Sequence, residues 1–109
     1  MLEERSAGVV LFNRAEGLQF LVLKYPSGHW DFVKGNIEQG EKEEETVKRE
    51  LFEETGINSI TLHKGFNEKV EYHYYKKNKR VHKIVSYYLA ETKQKDVKIS
   101  FEHLDYKFL

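Results

Sequence analysis

The sequence contains no cysteine and only one proline among its 109 residues. The lack of cysteine excludes disulfide bonds, thiolate zinc sites and cysteine nucleophiles. Long apolar runs are also missing, so no segment is suited to crossing a bilayer. The first five residues lack the charged-then-apolar layout of a signal peptide. We therefore expect a cytoplasmic protein.

The chain has no excess of charge of either sign, because 18 Lys and Arg residues balance 18 Asp and Glu residues. This balance argues against bulk nucleic-acid binding through a basic surface, although it leaves room for a local basic groove. The length suits a single domain, residues 1–109, with a hydrophobic core of modest size.

Several short runs of β-forming residues are separated by turn residues, which predicts strands and hairpins. The predicted strands cover residues 7–12, 20–23, 30–33, 60–75 and 80–90. The first two are neighbours in a hairpin or a sheet, and the last two form a long hairpin with a charged tip at residues 76–79. The pattern in residues 97–109 is ambiguous.

Residues 42–55 contain no Gly or Pro and are rich in Glu, Lys, Arg and Leu, which predicts a helix. Gly56 suits the left-handed position that follows a helix. On a helical wheel Val47, Leu51 and Thr55 share an arc that can face the core. Strands on both sides of one central helix indicate an α+β fold, layered as an α/β/α sandwich.

Three carboxylates of this helix, Glu50, Glu53 and Glu54, lie within an arc of about 100°. Like charges at these spacings repel each other, and a partly buried cluster would take up protons unless cations neutralise it. Oxygen ligands without cysteine favour a hard cation, Mg²⁺ or Mn²⁺. An exposed acidic helix without a ligand is the alternative interpretation of the helix alone.

The spacing of a longer motif is more specific than the helix. Gly35 is followed after five residues by Glu41, and after seven more by Arg-Glu-Leu-Phe-Glu-Glu-Thr-Gly-Ile, residues 49–57. This pattern matches the Nudix box completely, and the chain resembles the Nudix hydrolase family over residues 35–57. The resemblance implies a mixed β-sheet with the box helix packed on it, and an enzyme that acts on phosphorus anhydride bonds.

The resemblance also implies roles for the box residues. Gly35 allows the backbone to approach a metal ion or a phosphate closely, and its carbonyl can serve as a metal ligand. Glu50, Glu53 and Glu54 correspond to metal ligands that activate the attacking water. One of them, most often the position of Glu50, can orient or deprotonate that water instead.

Two more residues are candidates for the catalytic machinery. Arg49 has a planar guanidinium that can hold Glu41 or Glu53 in place. Family members recruit a further base or ligand from a loop outside the box, and Glu102 is the candidate for that role. A surface glutamate in a loop is the alternative interpretation of Glu102.

The sequence around the box resembles one group within the family. Residues 29–35, 83–90 and 102–109 resemble stretches of asymmetric diadenosine tetraphosphate hydrolases, which implies cleavage of that substrate to ATP plus AMP. A base favours an aromatic platform and phosphates favour cationic side chains. The candidate substrate-binding residues are His29, Lys34, Lys83, Tyr74, Tyr75 and Tyr106. Neighbours on a strand point to opposite faces, so at most one of Tyr74 and Tyr75 can stack on a base.

The chain departs from this group in three places. Val33 stands where Pro is usual and Asn36 where His is common, which leaves the substrate preference open. Members of the group continue past residues 106–109 into a final helix that covers the sheet. Its absence would leave apolar surface uncovered. Three explanations are open: a trimmed chain, a naturally short form, or a second copy of the chain that covers the surface. We expect a homodimer.

Two other functions remain open from the sequence. The chain can be a Nudix hydrolase of another substrate, such as a nucleoside triphosphate, an RNA 5′ end or a diphosphoinositol polyphosphate. It can also be a catalytically silent Nudix-fold binding module, because a fold does not fix an activity. Such modules usually lose box carboxylates, whereas Glu50, Glu53 and Glu54 are all present.

Overall fold

The computed structural model describes residues 1–109 and contains seven strands and one helix. The strands are β1 (Leu2–Asn13), β2 (Gln19–Lys24), β3 (Trp30–Asp31), β4 (Val33–Asn36), β5 (Thr61–Lys76), β6 (Lys79–Glu91) and β7 (Asp105–Phe108), and the helix is α1 (Glu43–Thr55). The predicted helix and strands are confirmed, except that the segment predicted at residues 30–33 forms two strands, β3 and β4, and the second continues to Asn36. The ambiguous segment 97–109 contains β7.

The strands form one mixed sheet in the order β3-β2-β1-β6-β5, with β4 also paired to β1 and β7 to β2. β1 runs antiparallel to β2 and β4 but parallel to β6, from Leu2 opposite Val81 to Phe12 opposite Glu91. The parallel pair requires a crossover connection, which α1 and β5 provide. Because β4 pairs with β1, β4 and its residue Gly35 lie beside the helix.

The charged tip predicted at residues 76–79 is a tight turn between β5 and β6. Its two central residues, Lys77 and Asn78, have φ values of 51° and 65°. A two-residue connection with both residues in the left-handed region is the geometry that matches the twist of the flanking strands. The turn fixes the register of the long hairpin, in which Tyr74 lies opposite Val81.

The core lies between α1 and one face of the sheet. Val47 and Leu51 of α1 are buried there with Val9, Leu11 and Leu23 of the strands. The helix ends at Gly56, whose φ of 75° is left-handed. The sheet with α1 packed on it confirms the predicted fold.

The opposite face of the sheet carries no helix, because α1 is the only one. A groove of about 390 Å³ on this face is lined by six apolar residues, among them Val10, Phe32, Phe66, Val70 and Tyr87, and by three charged residues. Successive residues of a strand point to opposite faces, so Val10 lies on this side while Val9 and Leu11 enter the core. No helix of the structure is long and apolar enough to span a membrane.

Candidate active site

A cleft of about 880 Å³ opens between β4, α1 and the segment that precedes β7. Seven of the residues singled out in the sequence line it together: Lys34, Gly35, Glu50, Glu54, Tyr74, Lys83 and Glu102. These residues come from four elements and one loop, so only the folded chain brings them together. The cleft combines carboxylates near one wall with two lysines and a tyrosine from the sheet.

The carboxylate of Glu50 lies directly against the Cα atom of Gly35. A Cβ atom built on Gly35 would lie 2.0 Å from Cδ of Glu50 and 2.3 Å from its Oε1. Gly35 is required here because of this close approach; the close approach to a metal ion or a phosphate, for which the sequence motif suggested a glycine, stays a prediction. Burial raises the pKa of Glu50, whereas its contact with Arg49 opposes that rise.

Glu54 is the most deeply buried carboxylate of the cleft, with 7% of the residue exposed. Its Oε2 atom is the one buried side-chain polar atom of the structure without a hydrogen-bond partner. Burial, reinforced by the charges of Glu50 and Glu102, raises the pKa of Glu54 to about 8. An unpaired buried carboxylate oxygen is costly, and a bound cation would remove that cost. Glu50, Glu54 and the Gly35 carbonyl therefore fit a hard metal ion.

Arg49 donates hydrogen bonds to three carboxylates at once. Its Nε donates to Glu41 Oε2 at 2.8 Å and its Nη2 to Glu41 Oε1 at 3.0 Å. Its Nη1 donates to Glu50 at 2.8 Å and to Glu53 at 2.9 Å. The two bonds from Arg49 to Glu41, with one from Thr46, lower the pKa of Glu41 to about 2. Arg49 thus makes both of the contacts, to Glu41 and to Glu53, that its shape suggested.

Glu53 faces Arg49 rather than the cleft, and 49% of its side chain is exposed. No group of three acidic or histidine side chains is close enough together to hold a metal ion. Of the three box carboxylates, the structure therefore brings Glu50 and Glu54 into the cleft and leaves Glu53 at its edge. A ligand role for Glu53 stays a prediction.

The segment before β7 carries Glu102 to the mouth of the cleft. Its backbone is tied to the end of α1, because Lys98 N–H donates to Thr55 O at 2.9 Å and Ser100 N–H donates to Glu54 O at 3.1 Å. Leu104 N–H then donates to Lys24 O at 2.9 Å. These bonds explain how an irregular segment is held against both the helix and the sheet.

Three of the predicted substrate-binding residues face the cleft. Lys34 Nζ lies 3.2 Å from Asp31 Oδ2. Lys83 is buried, and its Nζ donates to Asn36 Oδ1 at 2.9 Å and to Glu4 Oε1 at 3.3 Å. The Tyr74 hydroxyl donates to the same Glu4 carboxylate, and this bond raises the pKa of Tyr74 to about 12.

The structure leaves the other three outside the lining of the cleft. Tyr75 is 74% exposed on the face opposite to Tyr74, so only one of the two can contact a ligand in the cleft, as predicted. Tyr106 lies on β7 opposite Leu23. His29 stacks on Tyr25 with ring centroids 5.0 Å apart. The substrate-binding roles of these three residues stay predictions.

Sequence reasoning missed His103, which lines the cleft and is only 6% exposed. Its ring packs edge-on against Tyr25, with centroids 4.7 Å apart, and burial lowers its pKa. A lone histidine without metal-ligand spacing carries no signal in the sequence. The one available clue was its position next to Glu102.

Comparison with known proteins agrees with this geometry. The NUDIX domain family matches residues 2–109. The asymmetrical bis(5′-nucleosyl)-tetraphosphatase of Sus scrofa is 35% identical over 96% of this chain and 78% of its own length. An RNA pyrophosphohydrolase of Erythrobacter litoralis is 45% identical over 49% of this chain and 34% of its own length.

Solved structures give the same result. A crystal structure of a C. elegans Ap4A hydrolase binary complex superposes with a TM-score of 0.82 at 34% identity, over 96% of this chain and 78% of that one. The family match over nearly the whole length, the box at residues 35–57 and the shared fold lead to one conclusion. The chain belongs to the Nudix hydrolase family, enzymes that act on phosphorus anhydride bonds.

Proposed function

We propose that the protein hydrolyses diadenosine tetraphosphate to ATP plus AMP and depends on Mg²⁺ for this activity. The observation that carries the proposal is the buried Oε2 atom of Glu54, which has no partner and lies in a cleft with Glu50 and Gly35. The same cleft contains Lys34 and Lys83, which suit a chain of phosphates. The similarity to bis(5′-nucleosyl)-tetraphosphatases along 96% of the chain supports the choice of substrate.

Glu50, Glu54 and the Gly35 carbonyl would hold the metal ion, with Glu53 as a further ligand if its side chain leaves Arg49. When bound, a divalent cation neutralises phosphate oxygens and makes a water more acidic. Mg²⁺ fits because every candidate ligand is an oxygen atom; Mn²⁺, which takes the same ligands, is expected to substitute. Arg49 keeps Glu50 in position through the 2.8 Å hydrogen bond to Oε1.

The residues of the chain account for the remaining steps. Lys34 and Lys83 bind phosphate oxygens and orient the tetraphosphate, and Tyr74 offers an aromatic surface for one base. A carboxylate of the cleft, Glu50 or Glu102, accepts the proton of the attacking water. The water oxygen forms a bond to phosphorus, one P–O–P bond breaks, and its bridging oxygen leaves with the second nucleotide.

The test is incubation of the purified protein with diadenosine tetraphosphate and Mg²⁺, followed by chromatography of the products. We expect ATP and AMP in equal amounts, and no products in EDTA. Glu54→Gln is the matched control, because it removes the charge and keeps the size of the side chain. Full activity in EDTA would rule out metal dependence, and an absence of products would rule out this substrate.

Hydrolysis of an RNA 5′ end is the second candidate, favoured by the partial similarity to an RNA pyrophosphohydrolase. Release of pyrophosphate from 5′-triphosphate RNA, without cleavage of diadenosine tetraphosphate, would support it. A silent binding module is separated from both by the double variant Glu53→Gln, Glu54→Gln. An enzyme loses turnover in this variant, whereas a module without turnover retains its ligand.

Homodimer formation through the face of the sheet opposite α1 is proposed as well. The groove lined by Val10, Phe32, Phe66, Val70 and Tyr87 supports it, because six of its nine lining residues are apolar and 46% of Val70 is exposed. Light scattering should give the mass of a dimer, and Val70→Glu should give that of a monomer. A stable monomer of the unchanged chain would contradict this part of the proposal.

A further inference from the structure

His103 lies buried between an aromatic ring and the Glu54 carboxylate. Its ring meets that of Tyr25 at an interplanar angle of 80°, and its Nε2 atom lies 3.7 Å from Glu54 Oε1. Tyr25 is itself fixed, because its hydroxyl donates to Phe32 O at 2.7 Å. The imidazole is therefore packed on one side and faces a carboxylate on the other.

The second ring nitrogen of His103 has a partner of its own. Nδ1 lies 3.4 Å from Ser100 Oγ, which accepts a hydrogen bond from Glu102 N–H at 3.3 Å. The Ser100 hydroxyl can donate its own hydrogen to Nδ1 while its oxygen accepts the hydrogen bond from Glu102 N–H. A neutral imidazole that accepts at Nδ1 carries its proton on Nε2. In that tautomer the N–H of His103 is on Nε2, the nitrogen that lies 3.7 Å from Glu54 Oε1.

The backbone holds this arrangement in register with the helix. His103 N–H donates to Ser100 O at 3.1 Å, and Ser100 N–H donates to the carbonyl of Glu54 at 3.1 Å. The histidine is thus connected through two hydrogen bonds to the residue whose carboxylate it faces. A movement of the segment 100–103 would displace the imidazole and Glu102 together.

We infer that His103 is a positioning residue that orients the Glu54 carboxylate so that its Oε2 atom faces a metal ion. The inference rests on the proposed metal-dependent function. It explains why Oε1 faces His103 while Oε2 has no partner in the protein. Partners of ligating side chains fix the orientation of the ligand, and their removal typically weakens metal binding about 10- to 100-fold.

A role in packing alone would also explain a buried histidine, so the test must separate the two roles. His103→Gln retains an N–H donor close to the position of Nε2, whereas His103→Leu fills similar space without any donor. Under the positioning role the Gln variant binds metal nearly as well as the unchanged protein, and the Leu variant does not. Under a packing role the two variants behave alike, or the Leu variant is the better one.

The experiment measures Mn²⁺ binding by electron paramagnetic resonance, without substrate, for the unchanged protein and both variants. We expect the dissociation constant to rise about 10- to 100-fold for His103→Leu and less than about fivefold for His103→Gln. Thermal melting in EDTA establishes that each variant is folded. Equal binding by the Leu variant and the unchanged protein would overturn the inference, as would equal losses in folded Leu and Gln variants.

Ser100→Ala keeps the test decisive if the Leu variant does not fold. This change leaves His103 in place but removes the hydroxyl that favours a proton on Nε2, so Mn²⁺ binding should weaken about two- to fivefold, as expected for one lost hydrogen bond. Unchanged binding would overturn the inference. A failure of the unchanged protein to bind Mn²⁺ would instead contradict the proposed metal-dependent function.

Discussion

The Cα atom of Gly35 and the carboxylate of Glu50 are in direct contact, so that any Cβ atom at position 35 would lie 2.0 Å from Cδ of Glu50. The contact exists because β4 pairs with β1 and α1 packs across both strands. The two residues are fifteen positions apart in the sequence, yet one sets the space that is available to the other.

Gly35→Ala should therefore displace Glu50 and reduce Mg²⁺-dependent turnover about 10- to 100-fold, the usual cost of moving a metal ligand or its support. Adding Glu50→Asp shortens the displaced side chain and should restore the melting temperature without restoring turnover. A double-mutant cycle on the free energy of unfolding measures this coupling. Additive effects of the two substitutions would contradict the contact.

Glu54→Gln should stabilise the protein in the absence of metal. At pH 9 the Glu54 carboxyl is ionised, since burial raises its pKa only to about 8, and its Oε2 has no partner. Replacement by a neutral amide removes the buried charge and should raise the free energy of unfolding by about 1–3 kcal/mol, because an unpaired buried charge costs more than an unpaired neutral polar group. Urea denaturation in EDTA measures the change.

The response to metal provides the control for this prediction. Mg²⁺ should raise the free energy of unfolding of the unchanged protein, because a ligand that binds only the folded state stabilises it. The same addition should have little effect on Glu54→Gln. A variant that is less stable in EDTA and still stabilised by Mg²⁺ would show that Glu54 is not a metal ligand.

Local patterns were sufficient to predict most of the elements. The helix follows from its composition and from Gly56, and the β5–β6 hairpin follows from two β-rich runs around a polar tip. The box motif, together with the wheel positions of Val47 and Leu51, also predicted which face of the helix is buried. These features depend on spacing within a short segment.

The remaining features depend on contacts between distant segments. Alternation along β5 predicts that Tyr74 and Tyr75 point to opposite faces, but the pairing of β5 with β6 decides which one enters the cleft. The orientation of Glu53 depends on Arg49, which also binds Glu41. His103 reaches Glu54 only because the segment before β7 is hydrogen-bonded to the end of α1. None of these has a sequence pattern of its own.

Glu41→Gln should weaken the dependence of stability on acid pH. The hydrogen bonds from Arg49 and Thr46 lower the pKa of Glu41 to about 2 in the folded protein, below the value of about 4.3 for a free glutamate. The unfolded chain therefore binds more protons in this range. The contribution of Glu41 is fully present above about pH 4.3 and is lost as the pH falls toward 2.

Thermal melting between pH 2 and pH 6 measures this effect. The decline in melting temperature below about pH 4.3, the pKa of a free glutamate, should be shallower in Glu41→Gln than in the unchanged protein. Glu44→Gln is the matched control, because this exposed glutamate in the first turn of α1 has no ion pair with a basic side chain. Identical slopes in the Glu41 and Glu44 variants would contradict the role given to the Arg49 contact.

Lys83→Gln should weaken substrate binding more than it slows the chemical step. The Lys83 ammonium group lines the cleft and is held by Asn36 and Glu4, so it is positioned before a phosphate arrives. Loss of one hydrogen bond from a charged group costs about 1.5–3 kcal/mol, which corresponds to a rise in KM of roughly 10- to 100-fold. kcat should change much less.

Lys93→Gln is the matched control, because Lys93 is exposed and lies outside the cleft. Loss of Lys83 also leaves Glu4 without that partner, which alone would repel an anionic substrate. The double variant Glu4→Gln, Lys83→Gln removes this repulsion and should recover part of the lost affinity. Salt should change the KM of this double variant less than it changes the KM of the unchanged protein. If KM is the same in the Lys83 and Lys93 variants, the phosphates do not bind at Lys83, and Lys34 on β4, which also lines the cleft, becomes the residue to test.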